Sequence, residues 1–210
     1  TIMSSITFLQ IFFVCLLGAM SPGPSMVVVI NNAIFKNRYH GILTSLGHGI
    51  GIGIYALFAV VGIGIAIETN LFLFNGIKIL SVIFLIYLGI KSIINKKKLD
   101  FDKKSSAKEG VTSFLQGFSI SILNPKILIW FVAIYSQFMS INNDIVFNGY
   151  LILIAGIVDA TWYIVLTLSV TSNLALDFVK NKIVILQRFL GFVFIALGLV
   201  LLSQILIPIN

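Results

Sequence analysis

The chain has little of what a water-soluble surface is made from. Only 10% of its 210 residues are charged, against about 25% in ordinary soluble domains. It has seven acids, two histidines (His40 and His48) and one cysteine. That is too few ligands to predict a metal site, and no cofactor is implied. The lone Cys15 excludes an internal disulfide and a dithiol relay, and reads as a small apolar residue inside a helix. Four prolines in the whole chain make each one informative about where a helix stops.

Apolar side chains take the place of the missing polar ones. Hydrophobic residues make up 59% of the sequence, against about 45–50% in soluble domains, and the mean hydropathy is +1.09. Such a chain belongs in a lipid bilayer. Fourteen Lys and Arg against seven acids give a net charge of +7. No basic run is interleaved with the aromatics of a base-stacking surface, so nucleic acid is not an expected partner. The excess fits basic loops beside anionic lipid.

About 20 mainly apolar residues span a bilayer as a helix. Six such runs are present, at 5–30, 41–67, 71–94, 114–139, 145–172 and 183–207. Within each run hydrophobicity is continuous, which excludes the two-residue alternation of a transmembrane barrel. Residues 1–10 carry no positive segment, and the first run ends in Ser21-Pro22-Gly23-Pro24 rather than a small-residue cleavage site. The first run is therefore expected to be a retained span and not a secretory signal.

Lysine and arginine orient these spans. Lys36 and Arg38 lie between spans one and two, Lys96, Lys97, Lys98, Lys103, Lys104 and Lys108 between three and four, and Lys180 and Lys182 between five and six. Glu68-Thr69-Asn70, residues 140–144 and both ends of the chain have none. The positive-inside rule then predicts the basic connections in the cytoplasm and both termini outside. Residues 95–113 form a polar, basic linker between a first unit, 1–94, and a second, 114–210. Three spans on each side give the halves opposite polarity. The expected architecture is an all-α integral membrane protein whose six transmembrane helices form a 3+3 inverted repeat.

Proline inside a spanning helix frees backbone carbonyls, and unwound backbone survives in a membrane only against protein or a cavity. Span one breaks at Ser21-Pro22-Gly23-Pro24 and span four at Asn124-Pro125. Corresponding breaks in two halves mark a binding site, and the amides exposed there suit a carboxylate. Lys78, Lys126 and Asp159 are charges within the predicted spans. Each costs on the order of 2.5–3.5 kcal/mol to insert. Lys126 follows the second break directly, and Asp159 shares a helix face with Trp162 and Tyr163. Lys126 and Asp159 are read either as a structural pair between two helices or as groups that meet a substrate carboxylate and an ammonium or coupling proton. Lys78, near the outer end of span three, is able to snorkel outward.

Span two reads Gly47-His48-Gly49-Ile50-Gly51-Ile52-Gly53. Its spacing does not complete a nucleotide-binding motif, and small residues four apart favour close helix packing. Self-association through these glycines, giving a homo-oligomer, is left open. His48 is read first as a packing histidine and second as a proton carrier. Ser21 and Ser25 have no histidine at matching depth and one acid lies within the spans, so no enzyme is expected.

These residues resemble the LysE/RhtB family of amino-acid exporters. The resemblance rests on Gly18-Ala19-Met20-Ser21-Pro22-Gly23-Pro24, the glycine-rich stretch 41–53, Lys78-Ile79-Leu80 with Tyr87-Leu88-Gly89, and Gly117-Phe118 through Asn124-Pro125-Lys126. Ser81 and Phe84 stand where the family shows Gly and Tyr, a difference that bears on substrate. The resemblance implies proton-driven efflux of an amino acid or close derivative across a bacterial inner membrane. Ser21, Pro22, Gly23, Pro24, Asn124, Pro125 and Lys126 would hold the substrate and Asp159 the coupling proton; Lys78, His48 and Trp162 are further candidates. The rival expectations are export of a metal ion or other small solute on the same scaffold, and a scaffold subunit that transports nothing.

Overall fold

The computed structural model describes residues 5–94, 110–139, 145–170 and 173–206. Every element among them is an α-helix: α1 (Ser5–Met20), α2 (Pro24–Phe35), α3 (Arg38–Thr69), α4 (Leu71–Ile94), α5 (Gly110–Ile122), α6 (Pro125–Phe138), α7 (Ile145–Ser169) and α8 (Asn173–Leu206). The two breaks fall where proline requires them. Pro24 and Pro125 each open a new helix, where a missing amide costs nothing. The Asn37 side chain caps α3 by accepting from the His40 amide at 3.1 Å. Asn70 alone separates α3 from α4, and its side chain accepts from the Leu73 amide at 3.0 Å.

Four helical segments are long and apolar enough to cross a membrane: α3, α4, α7 and Lys182–Ser203 of α8. The pairs α1–α2 and α5–α6, bent by 69° and 58° at their breaks, are the remaining two spans. The chain is thus a six-span, multi-pass membrane protein. Helix ends differ from the hydropathy reading because a helix continues past the last apolar residue. α2 reaches Phe35, α8 starts at Asn173 rather than 183, and α5 starts at Gly110, so residues 110–113 are helical rather than linker. The stretches 95–109 and 140–144 lie outside the described residues.

Close glycine contacts hold the helices together. A Cβ on Gly47 would run into the Phe114 carbonyl of α5, and one on Gly117 into the Thr44 carbonyl of α3. Where α3 crosses α7, a Cβ on Gly49 would lie 2.8 Å from the Gly156 oxygen, and one on Gly156 3.0 Å from the Gly49 oxygen. Where α4 crosses α8, Gly89 and Gly191 meet in the same reciprocal way, at 2.6 and 2.7 Å. The second spans on either side of residues 95–109 thus pack on each other, as do the third, each through a reciprocal glycine contact. Gly47, Gly49 and Gly51 are occupied within the chain, whereas a Cβ on Gly53 would meet nothing within 4 Å.

The apolar core is divided in two. One cluster gathers α1, α3, α4, α6, α7 and α8 around Leu85, Tyr135, Leu151 and Leu190. The other packs Met26, Val29 and Ile30 of α2 on Tyr163, Leu166 and Ile183. The helix breaks lie between the two.

Candidate functional site

A cavity of about 630 Å³, open mouth included, lies at the breaks. Its polar lining comes from Ser21 and Ser25 at the first break, Asn124 and Lys126 at the second, His48 on α3, and Asp159 and Tyr163 on α7. Trp130, Phe131 and Phe194 form an aromatic wall, with Trp130 and Phe194 ring centroids 4.9 Å apart. Cys15, Gly18 and Ala19 of α1 complete it, and Gly18 leaves room for the indole: a Cβ there would lie 2.6 Å from Trp130 Nε1.

The two breaks touch through one bond. Lys126 Nζ donates to Ser21 Oγ at 2.8 Å across 105 positions of sequence. Behind it, Asn124 Oδ1 accepts from the Lys126 amide at 3.1 Å and caps α6. α2 has no such cap, because Gly23 stands at that position with nothing to offer its first amides. A helix start without a side-chain cap presents N–H groups and the positive end of the helix dipole. At the second break, the Tyr55 hydroxyl donates to the Ile122 carbonyl at the end of α5, whose helical donor, the Lys126 amide, is bonded to Asn124 instead.

Asp159 faces these groups and is bonded to His48, with Oδ2 2.6 Å from Nδ1. The two side chains are 6% and 2% exposed, so the pair is held out of water. The Tyr163 ring meets His48 edge-on at 4.9 Å between centroids, and its hydroxyl is bonded to Ser25. The alternative of a structural Lys126–Asp159 pair is replaced by two separate bonds, Lys126 to Ser21 and His48 to Asp159. Among the described residues, no three His, Cys, Asp or Glu side chains come together.

Of the candidates from sequence, Ser21, Gly23, Pro24, Asn124, Lys126, Asp159 and His48 line the cavity. Pro22 lies at the first break without lining the cavity, and Pro125 opens α6 at the second. Lys78 does not reach it: its Nζ lies 4.7 Å from the Phe74 ring centroid on its own helix. Trp162 packs with the α2 cluster instead, since the i+3 and i+4 positions of Asp159 diverge by a helical step. Ser81 donates to Ile77 and approaches Ser136 at 3.5 Å, so this family difference lies at the α4–α6 contact and not at the site. Ser25 and Tyr163 were noted in the sequence without being assigned to the site, and the aromatic wall was not noted. Trp130 could have been, since it lies one helical turn from Lys126.

Beside the cavity, α2, α3 and α5 are joined by polar groups. The Asn32 amide donates to Thr44 Oγ1 and Gln116 Oε1, both at 2.9 Å. Lys36 Nζ donates to Ser113 Oγ at 3.0 Å, and His40 Nδ1 lies 2.9 Å from the same oxygen.

Residues 16–205 match the family model of the LysE type translocators. The uncharacterized membrane protein YrhP of Bacillus subtilis is 29% identical over 192 residues, 85% of this chain and 90% of its own. A threonine efflux protein of Escherichia coli K12 is 28% identical over 64% of this chain and 68% of its own. A leucine efflux protein of Klebsiella pneumoniae is 27% identical over 58% of each. No solved structure matches the chain.

Proposed function

Because the chain belongs to the LysE type translocator family, we propose that it exports amino acids or close derivatives from the cytoplasm in exchange for protons. The reading places it in a bacterial inner membrane with both termini outside, as the lysine distribution requires. Residues 1–94 and 114–210 then act as inverted halves that rock about the cavity.

The observation that carries the reading is the Lys126–Ser21 bond, which joins the two breaks beside the uncapped start of α2. A carboxylate entering there replaces Ser21 as the partner of the Lys126 ammonium and accepts from α2 amides. The ammonium of the same zwitterion lies toward Asp159, and the side chain against Trp130, Phe131 and Phe194. Protonation from outside weakens the hold on the ammonium and releases the substrate. Relatives named for leucine and threonine efflux support an amino acid as cargo.

The test is uptake of labelled amino acids into inverted membrane vesicles under an imposed proton gradient. Accumulation of one class that collapses with a protonophore is the expected result. Correctly inserted protein that accumulates none of the panel would refute the reading. Asp159→Asn should abolish uphill accumulation while still reaching the membrane.

A further inference from the structure

His48 was read first as a packing residue, and its surroundings argue otherwise. Its backbone is pinned by the contact of α5 on α3, where a Cβ on Gly117 would lie 3.0 Å from the His48 amide nitrogen. Its ring is 2% exposed and reaches the cavity lining. One ring nitrogen, Nδ1, is held by Asp159 at 2.6 Å. The other, Nε2, is buried and has no hydrogen-bond partner. An unpaired buried polar atom costs stability, so a nitrogen left without a partner calls for a role; Trp162 Nε1 is unpaired too, but Trp162 does not line the cavity and His48 does. His48 thus lines the cavity with one ring nitrogen bonded and the other unpaired.

The neighbouring groups define what protonation would do. α7 presents Asp159 and Tyr163, α6 presents Lys126 and α1 presents Cys15. α2 presents Ser25, and α5 has no titratable residue over its described length. On α4, Lys78 and Lys91 lie against aromatic rings of their own helix. Asp159 is thus the acid next to His48, and imidazole is the side chain that changes charge near neutral pH.

We infer that His48 carries the coupling proton, taking it at Nε2 while Nδ1 stays on Asp159. This rests on the export reading above. With the ring neutral, Nδ1–H donates to Asp159 and the carboxylate keeps a full charge for the substrate ammonium. A proton arriving from outside at Nε2 makes the ring cationic; it neutralises Asp159, repels the ammonium, and the substrate leaves. After reorientation, a new substrate ammonium displaces that proton to the cytoplasm. One proton enters for each zwitterion that leaves, and Asp159 holds either the imidazolium or the amine.

The experiment uses the full chain in proteoliposomes, with substrate exchange profiled from about pH 5 to pH 8. Wild type is expected to lose substrate affinity as pH falls. His48→Asn, which keeps a donor for Asp159 but does not titrate, is expected to show a flat profile and no accumulation driven by a proton gradient. A wild-type profile and gradient-driven accumulation in His48→Asn would overturn the assignment. Where the variant exchanges too slowly to profile, proton release decides. Substrate added to wild type in weak buffer near pH 6.5 should acidify the medium, and no release overturns the inference. Wild type that exchanges no amino acid at all overturns the export reading instead, which separates the two failures.

Discussion

The two broken helices begin alike, with a proline at the first position of the second segment, and then diverge. α6 starts from Asn124, whose side chain accepts from the Lys126 amide. α2 starts from Gly23, which has no side chain to do the same. The start of α6 is therefore capped by the second break's own Asn124, and that break contributes a cation, Lys126. The first leaves helix-start amides uncapped and contributes Ser21 as the resting partner of that cation. In the proposed cycle one break receives the carboxylate and the other supplies the charge that balances it. An inverted repeat whose halves had stayed alike would have two capped starts, or two bare ones.

Substitutions can break or sharpen this contrast. The largest effect is expected from Lys126→Met, which removes the cation and keeps the bulk. Loss of one partner of a buried pair costs about 3–5 kcal/mol, so substrate affinity should fall by roughly 100-fold or more. Ser21→Ala frees Lys126 from its resting bond; a hydrogen bond to a charged group contributes about 1.5–3 kcal/mol. Because a substrate carboxylate has to displace Ser21 from Lys126, substrate affinity should rise by roughly 10-fold.

Gly23→Asn makes the first break resemble the second. Only the Ser21 oxygen, at 4.0 Å, lies near a Cβ there, so a Cβ is accommodated. The new cap should stabilise the fold by a few tenths of a kcal/mol while competing with substrate for the α2 amides. Affinity should weaken by roughly 2–10-fold. Asn124→Ala should do the reverse, lowering stability by about 1 kcal/mol in detergent unfolding and leaving affinity nearly unchanged. Lys78→Met, away from both breaks, should stay within about 0.5 kcal/mol and transport normally.

Much of the fold was legible in the sequence, for definite reasons. Apolar run length finds spans because the bilayer sets it, and Pro22, Pro24 and Pro125 mark the breaks because no helix tolerates them unaltered. Lys126 and Asp159 stood out as charges where charge is expensive. What could not be read was rotation and partner. His48 and Asp159 are 111 positions apart and meet because α3 and α7 cross at Gly49 and Gly156. Neither glycine says which helix it will face. The same ignorance of rotation made Trp162 the candidate, and the cavity takes Tyr163 instead. The start of α8 was misplaced because Lys180 and Lys182 read as a connection between spans, and the helix begins at Asn173.

The account turns on the claim that the two breaks together recognise a carboxylate. The direct measurement is competition against a transported amino acid by its decarboxylated amine and its neutral amide, in wild type and in Lys126→Met. Wild type should reject both analogues strongly, and Lys126→Met should bind all three with similar weakness. Analogues that compete as well as the amino acid, or a Lys126→Met protein that still discriminates fully, would contradict it.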